Sequence, residues 1–214
     1  MSPRNGRHRL RFRGQIAGVG TTSGTRVVVG RWEHTPLGPF ADAMVARPDG
    51  HRVLLAPSPD VARFVAATYD FDEIRIEPFD VHADPHAWRV RSDSLVLDVR
   101  IGGRTALGGL LAVVPGRVAE APWWCAATDV IARTVLDGVR TRGEMQDRRE
   151  WYGATGNRAV VAASGTFDGD DLGRLAPVEP PPRFGFSSTP ARPSVTDVVT
   201  TIELGRSVPL VGPA

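Results

Sequence analysis

The clearest hydrophobic pattern in the chain lies in residues 40–81, where apolar runs alternate with turn residues. A first apolar run ends at Pro48-Asp49-Gly50, and a second run follows over residues 51–56. Proline presets the backbone dihedral of a turn and glycine accepts positive φ, so this tripeptide is typical of a tight reversal. The pattern therefore predicts a β-hairpin at the start of this stretch.

A helix and a third strand are predicted directly after the hairpin. Ser58 is suited to cap the helix and Pro59 to occupy its first position, where a missing N–H costs nothing. Ile74 and Ile76 then alternate with charged residues, which predicts a half-buried strand with both isoleucines facing the interior. The predicted helix has an apolar stripe at helical spacing, formed by Val61, Phe64, Val65 and Thr68.

Alternation predicts strands along much of the remaining chain. The cleanest example is residues 95–101, in which every second residue is leucine, valine or isoleucine. Gly102-Gly103 is then expected to form a hairpin turn, with another apolar strand over residues 105–114. A second helix is predicted at residues 128–137. Further strands are predicted at residues 10–19, 25–32, 88–91, 158–167 and 194–204.

About ten strands joined by short turns, with only two helices, predict a β-rich α+β fold. The expected architecture is a mostly antiparallel curled sheet or a β-barrel or cone. We expect a basic N-terminal arm at residues 1–13, a single β-rich domain at residues 14–204 and a loose C-terminal tail at residues 205–214. Residues 177–193 contain six prolines and are expected to cross the surface in extended form.

Composition indicates a soluble, cytoplasmic protein. No apolar run reaches the roughly 18 residues that a membrane-spanning helix needs. The arginine-rich N-terminus lacks the apolar core of a signal peptide. Cys125 is the one cysteine, so no intrachain disulfide can form.

The most informative feature of the composition is the absence of lysine, because all 26 basic residues are arginines. Schiff-base catalysis and pyridoxal phosphate attachment require a lysine amine, and a P-loop requires a lysine on its phosphates. Arginine stays protonated and is a poor nucleophile, so it cannot replace lysine in these reactions. The sequence therefore excludes these chemistries in their usual form and calls for no cofactor.

The positive charge is concentrated at the N-terminus. Residues 1–13 contain five arginines and no acid, which leaves 21 arginines against 24 acids in the rest of the chain. Such an arm could contact phosphate backbones or a protein partner. However, Leu10 and Phe12 alternate with arginines, as in an edge strand with one solvated face. The alternation does not favour nucleic acid as a partner.

Residues 140–153 contain the densest mixture of charged and aromatic groups. Guanidinium groups beside a carboxylate and a phenol could hold an anionic substrate and move a proton. The alternative is an exposed loop whose arginines pair only with neighbouring acids. The candidate catalytic residues are Glu150 and Tyr152, and the candidate ligand-binding residues of this segment are Arg142, Arg149 and Trp151.

Two other features of the sequence are candidate ligand or metal sites. Trp124 follows another tryptophan, and the pair could flank an apolar ligand or cover one end of the core. His82 and His86 lie near Asp80 and Asp84, but the intervening proline favours a polar turn. No metal site is predicted.

The order hairpin, helix, aromatic-bearing turn and strand in residues 40–76 resembles the acetoacetate decarboxylase-like superfamily. This resemblance implies strands wrapped into a cone around a small-molecule cavity. The family carries its Schiff-base lysine after the helix, whereas this chain has Thr68-Tyr69-Asp70-Phe71-Asp72 there. No decarboxylase residue can be transferred, and Tyr69 is retained only as a candidate ligand-binding residue. In composition the chain also resembles short proteins of GC-rich actinobacteria, which implies no activity.

Three functions remain open from the sequence. The first is a β-barrel or cone protein that binds a small, partly apolar molecule, with an anionic group as one alternative. The second is an enzyme on the same scaffold, of the lyase or hydrolase type, that acts by acid/base catalysis on a small carboxylate-bearing or partly apolar metabolite. The third is a partner-binding protein that uses its basic arm. A homo-oligomer is compatible with all three.

Overall fold

The structure is a computed structural model that describes residues 8–112, 142–145, 148–185 and 189–204. These residues form one curled sheet with two short helices. The elements in chain order are β1 (His8–Thr21), β2 (Arg26–His34), β3 (Phe40–Ala46), β4 (Arg52–Ala56), α1 (Pro59–Ala66), β5 (Glu73–Ile76), β6 (Phe79–Ala83), β7 (Ala87–Ser92), β8 (Leu95–Arg104), α2 (Ala106–Ala112), β9 (Arg142–Met145), β10 (Arg148–Phe167), β11 (Asp170–Asp171), β12 (Leu175–Ala176) and β13 (Ser194–Leu204).

Ten strands follow one another across the sheet in the order β5-β4-β3-β2-β1-β13-β10-β8-β7-β6. The short strands β9 and β11 pair with β10, and β12 pairs with β1. Among the described pairs, only β4 and β5 are parallel, because α1 crosses from one to the other. The predicted fold class, a curled and mostly antiparallel sheet of about ten strands with two helices, is confirmed.

The local signals around α1 act as predicted. Ser58 has extended backbone dihedrals, and its hydroxyl accepts a hydrogen bond from the Val61 amide at 3.3 Å. Pro59 begins the helix, and Asp60 lies in its first turn, where a carboxylate complements the helix dipole. The start of α1 is therefore determined by residues that are adjacent in sequence.

The concave side of the sheet is filled by one large cluster of buried side chains. Residues from both halves of the sheet meet in it, including Val29 and Leu55 from one half and Trp88 and Leu97 from the other. Each of these four side chains is almost fully buried. The interior in which the cone resemblance implied a small-molecule cavity is thus occupied by packed side chains.

The convex side is covered over β1 to β4 and β13. Helix α1 packs Val61 and Val65 against Leu54 of β4. Phe184, from the chain after β12, lies on the same side and is buried against Val28. This second layer creates an apolar space between the sheet and α1, on the side opposite to the large cluster.

Two predictions about residues 102–114 were wrong. Gly102 does not form a hairpin turn: β8 continues to Arg104, and its pairing with β10 is irregular there. A Cβ on Gly102 would lie 2.6 Å from a Val161 methyl, so this glycine permits close approach of β10. Within the predicted strand at residues 105–114, residues 106–112 form α2 instead, since the Thr105 hydroxyl accepts a hydrogen bond from the Gly108 amide at 3.0 Å and starts a helix.

The predicted orientation of β5 was also wrong. Ile74 and Ile76 are 47% and 49% exposed, whereas Glu73 and Arg75 are half-buried. Arg75 donates hydrogen bonds to Asp168, which lies in the turn after β10, and to Glu73 on its own strand. These two carboxylates raise the pKa of the Arg75 guanidinium. These ion pairs keep the charged side chains of β5 half-buried and leave its isoleucines exposed, which is the reverse of what the hydrophobic alternation predicts.

The described part of the arginine-rich segment belongs to the sheet. Residues 8–12 pair with β13 and, among the described residues, with no other strand, as expected of a strand edge. Leu10 and Phe12 are buried, and Arg11 and Arg13 are exposed. Removing residues 1–13 would therefore remove the first six of the 14 residues of β1 together with the arginines.

Neither described helix could cross a bilayer, since α1 has eight residues and α2 has seven. The helix predicted at residues 128–137 lies outside the described residues.

Candidate functional site

A cleft of about 70 Å³ lies between α1 and the convex side of β1, β2, β3 and β13. We refer to it as the α1 cleft. Its lining combines an aromatic surface with three polar side chains, those of Asp42, Thr68 and Thr200, besides the polar edges of Trp32 and Tyr69. The aromatic residues are Phe12, Trp32, Phe40, Phe64 and Tyr69.

Strand alternation explains how an acidic residue reaches the α1 cleft. In β3, Ala43 and Val45 face the large concave cluster, so Asp42 and Met44 lie on the convex side. Trp32 lies on the convex side of β2 by the same alternation. The cleft is therefore built on the second face of the strands that form the core.

Asp42 is the most unusual group in the α1 cleft. Its side chain is buried, with 5% of the residue exposed, and its Oδ1 accepts a hydrogen bond from Trp32 Nε1 at 3.1 Å. Within the described residues it makes no other hydrogen bond. Burial raises the pKa of the Asp42 carboxyl to about 7, and the Trp32 hydrogen bond opposes this rise. Near neutral pH, both protonation states are therefore substantially populated.

Gly30 makes room for the paired Asp42 and Trp32 side chains. It lies directly opposite Asp42 in the pairing of β2 with β3. A Cβ at this position would lie 2.5 Å from Asp42 Oδ1 and 2.6 Å from Trp32 Nε1. Any side chain here would displace the carboxyl, the indole or both.

Thr200 supplies a second polar group to the lining. It is 4% exposed, and its hydroxyl has no hydrogen-bond partner among the residues that the structure describes. Leaving a buried hydroxyl unpaired costs about 1–3 kcal/mol. The Thr200 hydroxyl is therefore available to a molecule in the α1 cleft.

The aromatic rings form a continuous surface. Phe12 stacks on Phe64, with ring centroids 4.8 Å apart, and meets Trp32 edge-on at 6.1 Å. Trp32 in turn lies 6.4 Å from Phe40. Trp32, Phe40, Phe64 and Tyr69 are only half-buried, so solvent reaches this surface. A small molecule could enter the cleft without unfolding the sheet.

The sequence-predicted site residues fall into three groups. Tyr69 lines the α1 cleft. Arg142 lies in β9, and Arg149, Glu150, Trp151 and Tyr152 lie at the start of β10, where the structure describes only the backbone. Trp124 lies outside the described residues. The roles assigned to all seven residues stay predictions.

The two predicted catalytic residues, Glu150 and Tyr152, pair with residues of β13 that line the α1 cleft. Glu150 pairs with Ile202, and Tyr152 pairs with Thr200. Both partners on β13 line the cleft. Within β10 and β9, Trp151 pairs with Arg142. The start of β10, which holds the two predicted catalytic residues, is thus next to the strand that supplies Thr200.

The sequence reasoning missed Asp42, Trp32 and Thr200. A signal for Asp42 is present, because it falls in phase with Phe40 and Met44 in a strand that is otherwise apolar. A carboxyl at such a position is either buried at a cost or kept for a function. For Thr200 no comparable signal exists, since threonine is common in strands.

Within the described ranges, no group of three or more histidine, cysteine, aspartate or glutamate side chains could hold a metal ion. Comparison with known proteins adds no family, because no protein-family model and no curated protein sequence matches this chain.

Proposed function

We propose that this protein binds a small, mostly apolar molecule in the α1 cleft, with one polar group of the ligand against Asp42. The observation that carries the proposal is a buried carboxyl with a single hydrogen bond, set in an aromatic surface that solvent reaches. Apolar clefts with a few convergent polar groups and a perturbed carboxyl are typical of ligand sites.

The cost of keeping Asp42 supports a functional role. A carboxylate that is buried without a cation is strongly disfavoured, and an apolar residue of similar size would fill the same space without that cost. Asp42 has no ion-pair partner among the described residues. A ligand that satisfies its free oxygen would offset the penalty.

The size of the α1 cleft limits the ligand. Its volume of about 70 Å³ exceeds the roughly 30 Å³ of one water and is about half of the 150 Å³ that encloses a benzene ring. A head group of a few heavy atoms fits inside. The rest of a larger ligand would extend over the half-buried rings at the cleft mouth.

An enzyme is the second candidate, and the pKa of Asp42 favours it. A carboxyl with a pKa of about 7 is well suited to general acid/base catalysis at neutral pH. Glu150 and Tyr152 would be the other proton-transfer groups, as the sequence predicts. The hairpin, helix, turn and strand that motivate the resemblance to acetoacetate decarboxylase-like proteins are β3, β4, α1 and β5. Without lysine, such an enzyme would act without an imine.

Binding can be tested by methyl NMR with three probes of four or five heavy atoms, namely 1-propanol, n-propylammonium and propionate. We expect at least one probe to shift the methyl signals of Met44 and Ile202, which line the cleft, and to leave exposed Val96 and Val161 unchanged. Dissociation constants of the two four-atom probes should be no tighter than tens of micromolar, because even the best small ligands gain about 1.5 kcal/mol per heavy atom.

A blocking variant provides the control for this experiment. Ile16→Trp adds an indole to the lining of the α1 cleft and should abolish the shifts, whereas Val161→Trp adds the same group at an exposed position and should not. Met44→Phe serves as a second blocking variant if Ile16→Trp does not fold. Shifts that are absent for all three probes, or that survive both blocking variants, would contradict the proposal.

A further inference from the structure

We propose that the group bound against Asp42 is a protonated amine, so that the ligand class is a small organic ammonium cation. This inference rests on the proposed function and adds the charge of the ligand to it. Three properties of the α1 cleft lead to it: the sign of its charge, its aromatic surface and its hydrogen-bond acceptors.

The charge of the α1 cleft favours a cation. Asp42 is the only acidic or basic side chain in the described lining apart from the Tyr69 phenol, and no arginine or histidine lines it. An anionic head group would meet a carboxyl in a poorly solvated space, which costs free energy. The sequence-based alternative of an anionic ligand depended on Arg142 and Arg149 and draws no support from these lining residues.

The aromatic surface favours the same charge. The face of an aromatic ring attracts a cation, most strongly for tryptophan, and sites for alkylated ammonium groups are often lined by several rings. Here five rings surround the space next to Asp42, with Trp32 held in place by its hydrogen bond to the carboxyl. A cation between these rings and the carboxylate would be stabilised from several sides.

The hydrogen-bonding groups of the cleft match an ammonium donor. Asp42 has one oxygen without a partner among the described residues, and the Thr200 hydroxyl can accept as well as donate. The Trp32 N–H is already used on Asp42. An ammonium group has several N–H donors and no acceptor, whereas an alcohol supplies only one donor.

The binding of an ammonium cation should depend on pH, because Asp42 must be ionised to pair with it. A cation binds the ionised form of Asp42, so binding should strengthen as pH rises through about 7 and should lower the pKa of Asp42. The elements packed around the carboxyl are β1, β2, β3, β13, α1 and the turn after α1. Of their described lining residues, only Tyr69 in that turn carries another titratable group.

The decisive experiment compares n-propylammonium with 1-propanol, which has the same number of heavy atoms and no charge, and with propionate. At pH 8 and constant ionic strength, the intact protein should bind n-propylammonium at least tenfold more tightly than 1-propanol, and propionate more weakly than either. Asp42→Asn should weaken n-propylammonium binding at least tenfold and change 1-propanol binding by less than about twofold, because a charge-assisted hydrogen bond is lost. Asp80→Asn, an exposed carboxylate on β6, is the matched control and should change neither.

The possible failures can be told apart. If 1-propanol binds as tightly as n-propylammonium, or if Asp42→Asn binds both probes unchanged, the cleft binds ligands but the ammonium inference is wrong. If none of the three probes binds, the proposed function fails together with it. Should Asp42→Asn not fold, Thr200→Val serves instead, and it should weaken n-propylammonium about three- to tenfold more than 1-propanol. An unchanged ratio of the two dissociation constants would overturn the inference.

Discussion

At pH 8, Asp42→Asn is expected to be more stable than the wild-type protein by up to about 4 kcal/mol, and at pH 4 the two should be nearly equal. Asparagine has the same shape as the neutral carboxyl and can still accept the hydrogen bond from Trp32. It cannot ionise, so it does not carry the cost of a buried charge. The magnitude follows from the rise in the pKa of Asp42 from 3.8 to about 7, at about 1.4 kcal/mol per pH unit.

The sign of this effect follows from proton binding. Between pH 4 and pH 7, the folded protein keeps the Asp42 proton and the unfolded chain releases it, so wild-type stability falls as pH rises through this range. Above pH 7, both states are ionised and the penalty is constant. Urea unfolding at pH 4, 6 and 8 measures it, and the melting temperatures of the two proteins should differ by roughly 10 °C at pH 8. Equal pH profiles for Asp42→Asn, wild type and the control Asp80→Asn would contradict the expectation.

Phe184→Ala should destabilise the protein by about 3–5 kcal/mol. Phe184 is 1% exposed and packs against Val28, Ala46 and Phe71, so truncation removes a full aromatic ring from the convex layer and leaves a cavity. Equilibrium unfolding in urea measures the loss. Phe184→Leu, which keeps most of the buried volume, should cost less than half as much.

Phe184→Ala should also affect the α1 cleft. The Phe184 carbonyl accepts a hydrogen bond from the Asp70 amide at 2.7 Å, next to Tyr69 in the cleft lining. Loss of the ring should therefore loosen the turn that carries Tyr69 and weaken probe binding, even where the protein remains folded. Val96→Ala, at an exposed position, should cost less than about 0.5 kcal/mol. A Phe184→Ala cost as small as this would contradict the packing role of Phe184.

The elements that could be predicted from sequence are those determined by neighbouring residues. Ser58 and Pro59 start α1, and Gly50, with a φ of 92°, closes the turn before β4. The inward side of β8 was predictable because its alternation is unbroken over Leu95 to Ile101. In each case, local preference and tertiary packing agree.

The elements that could not be predicted depend on distant partners. The apolar residues of α2 fit a strand or a helix equally well. The Thr105 cap decides between them, and its hydroxyl is held by a hydrogen bond that it donates to Asn157 Oδ1 of β10 at 2.6 Å. In β5, the ion pairs of Arg75 with Glu73 and Asp168 overrule the hydrophobic alternation. Asp168 is far from Arg75 in sequence, so no local pattern could reveal this contact.

The candidate site was only partly predictable for the same reason. Tyr69 was identified because it stands in an aromatic turn after a capped helix. Asp42 was overlooked because its environment depends on Gly30, Trp32 and α1, which come together only after the sheet forms and the helix covers it. The absence of lysine excludes an imine in this cleft, and it leaves Asp42 as the group around which binding is proposed.

Asp42 is a buried carboxyl with a single hydrogen bond, and we propose that its other oxygen faces a ligand. The most direct test of this proposal is an NMR titration of the Asp42 Cγ resonance from pH 3 to pH 9, with and without n-propylammonium. We expect Asp42 to titrate near pH 7, well above the ordinary aspartate value of 3.8, and n-propylammonium to lower this midpoint. A midpoint near 4 that the probe does not move would contradict it.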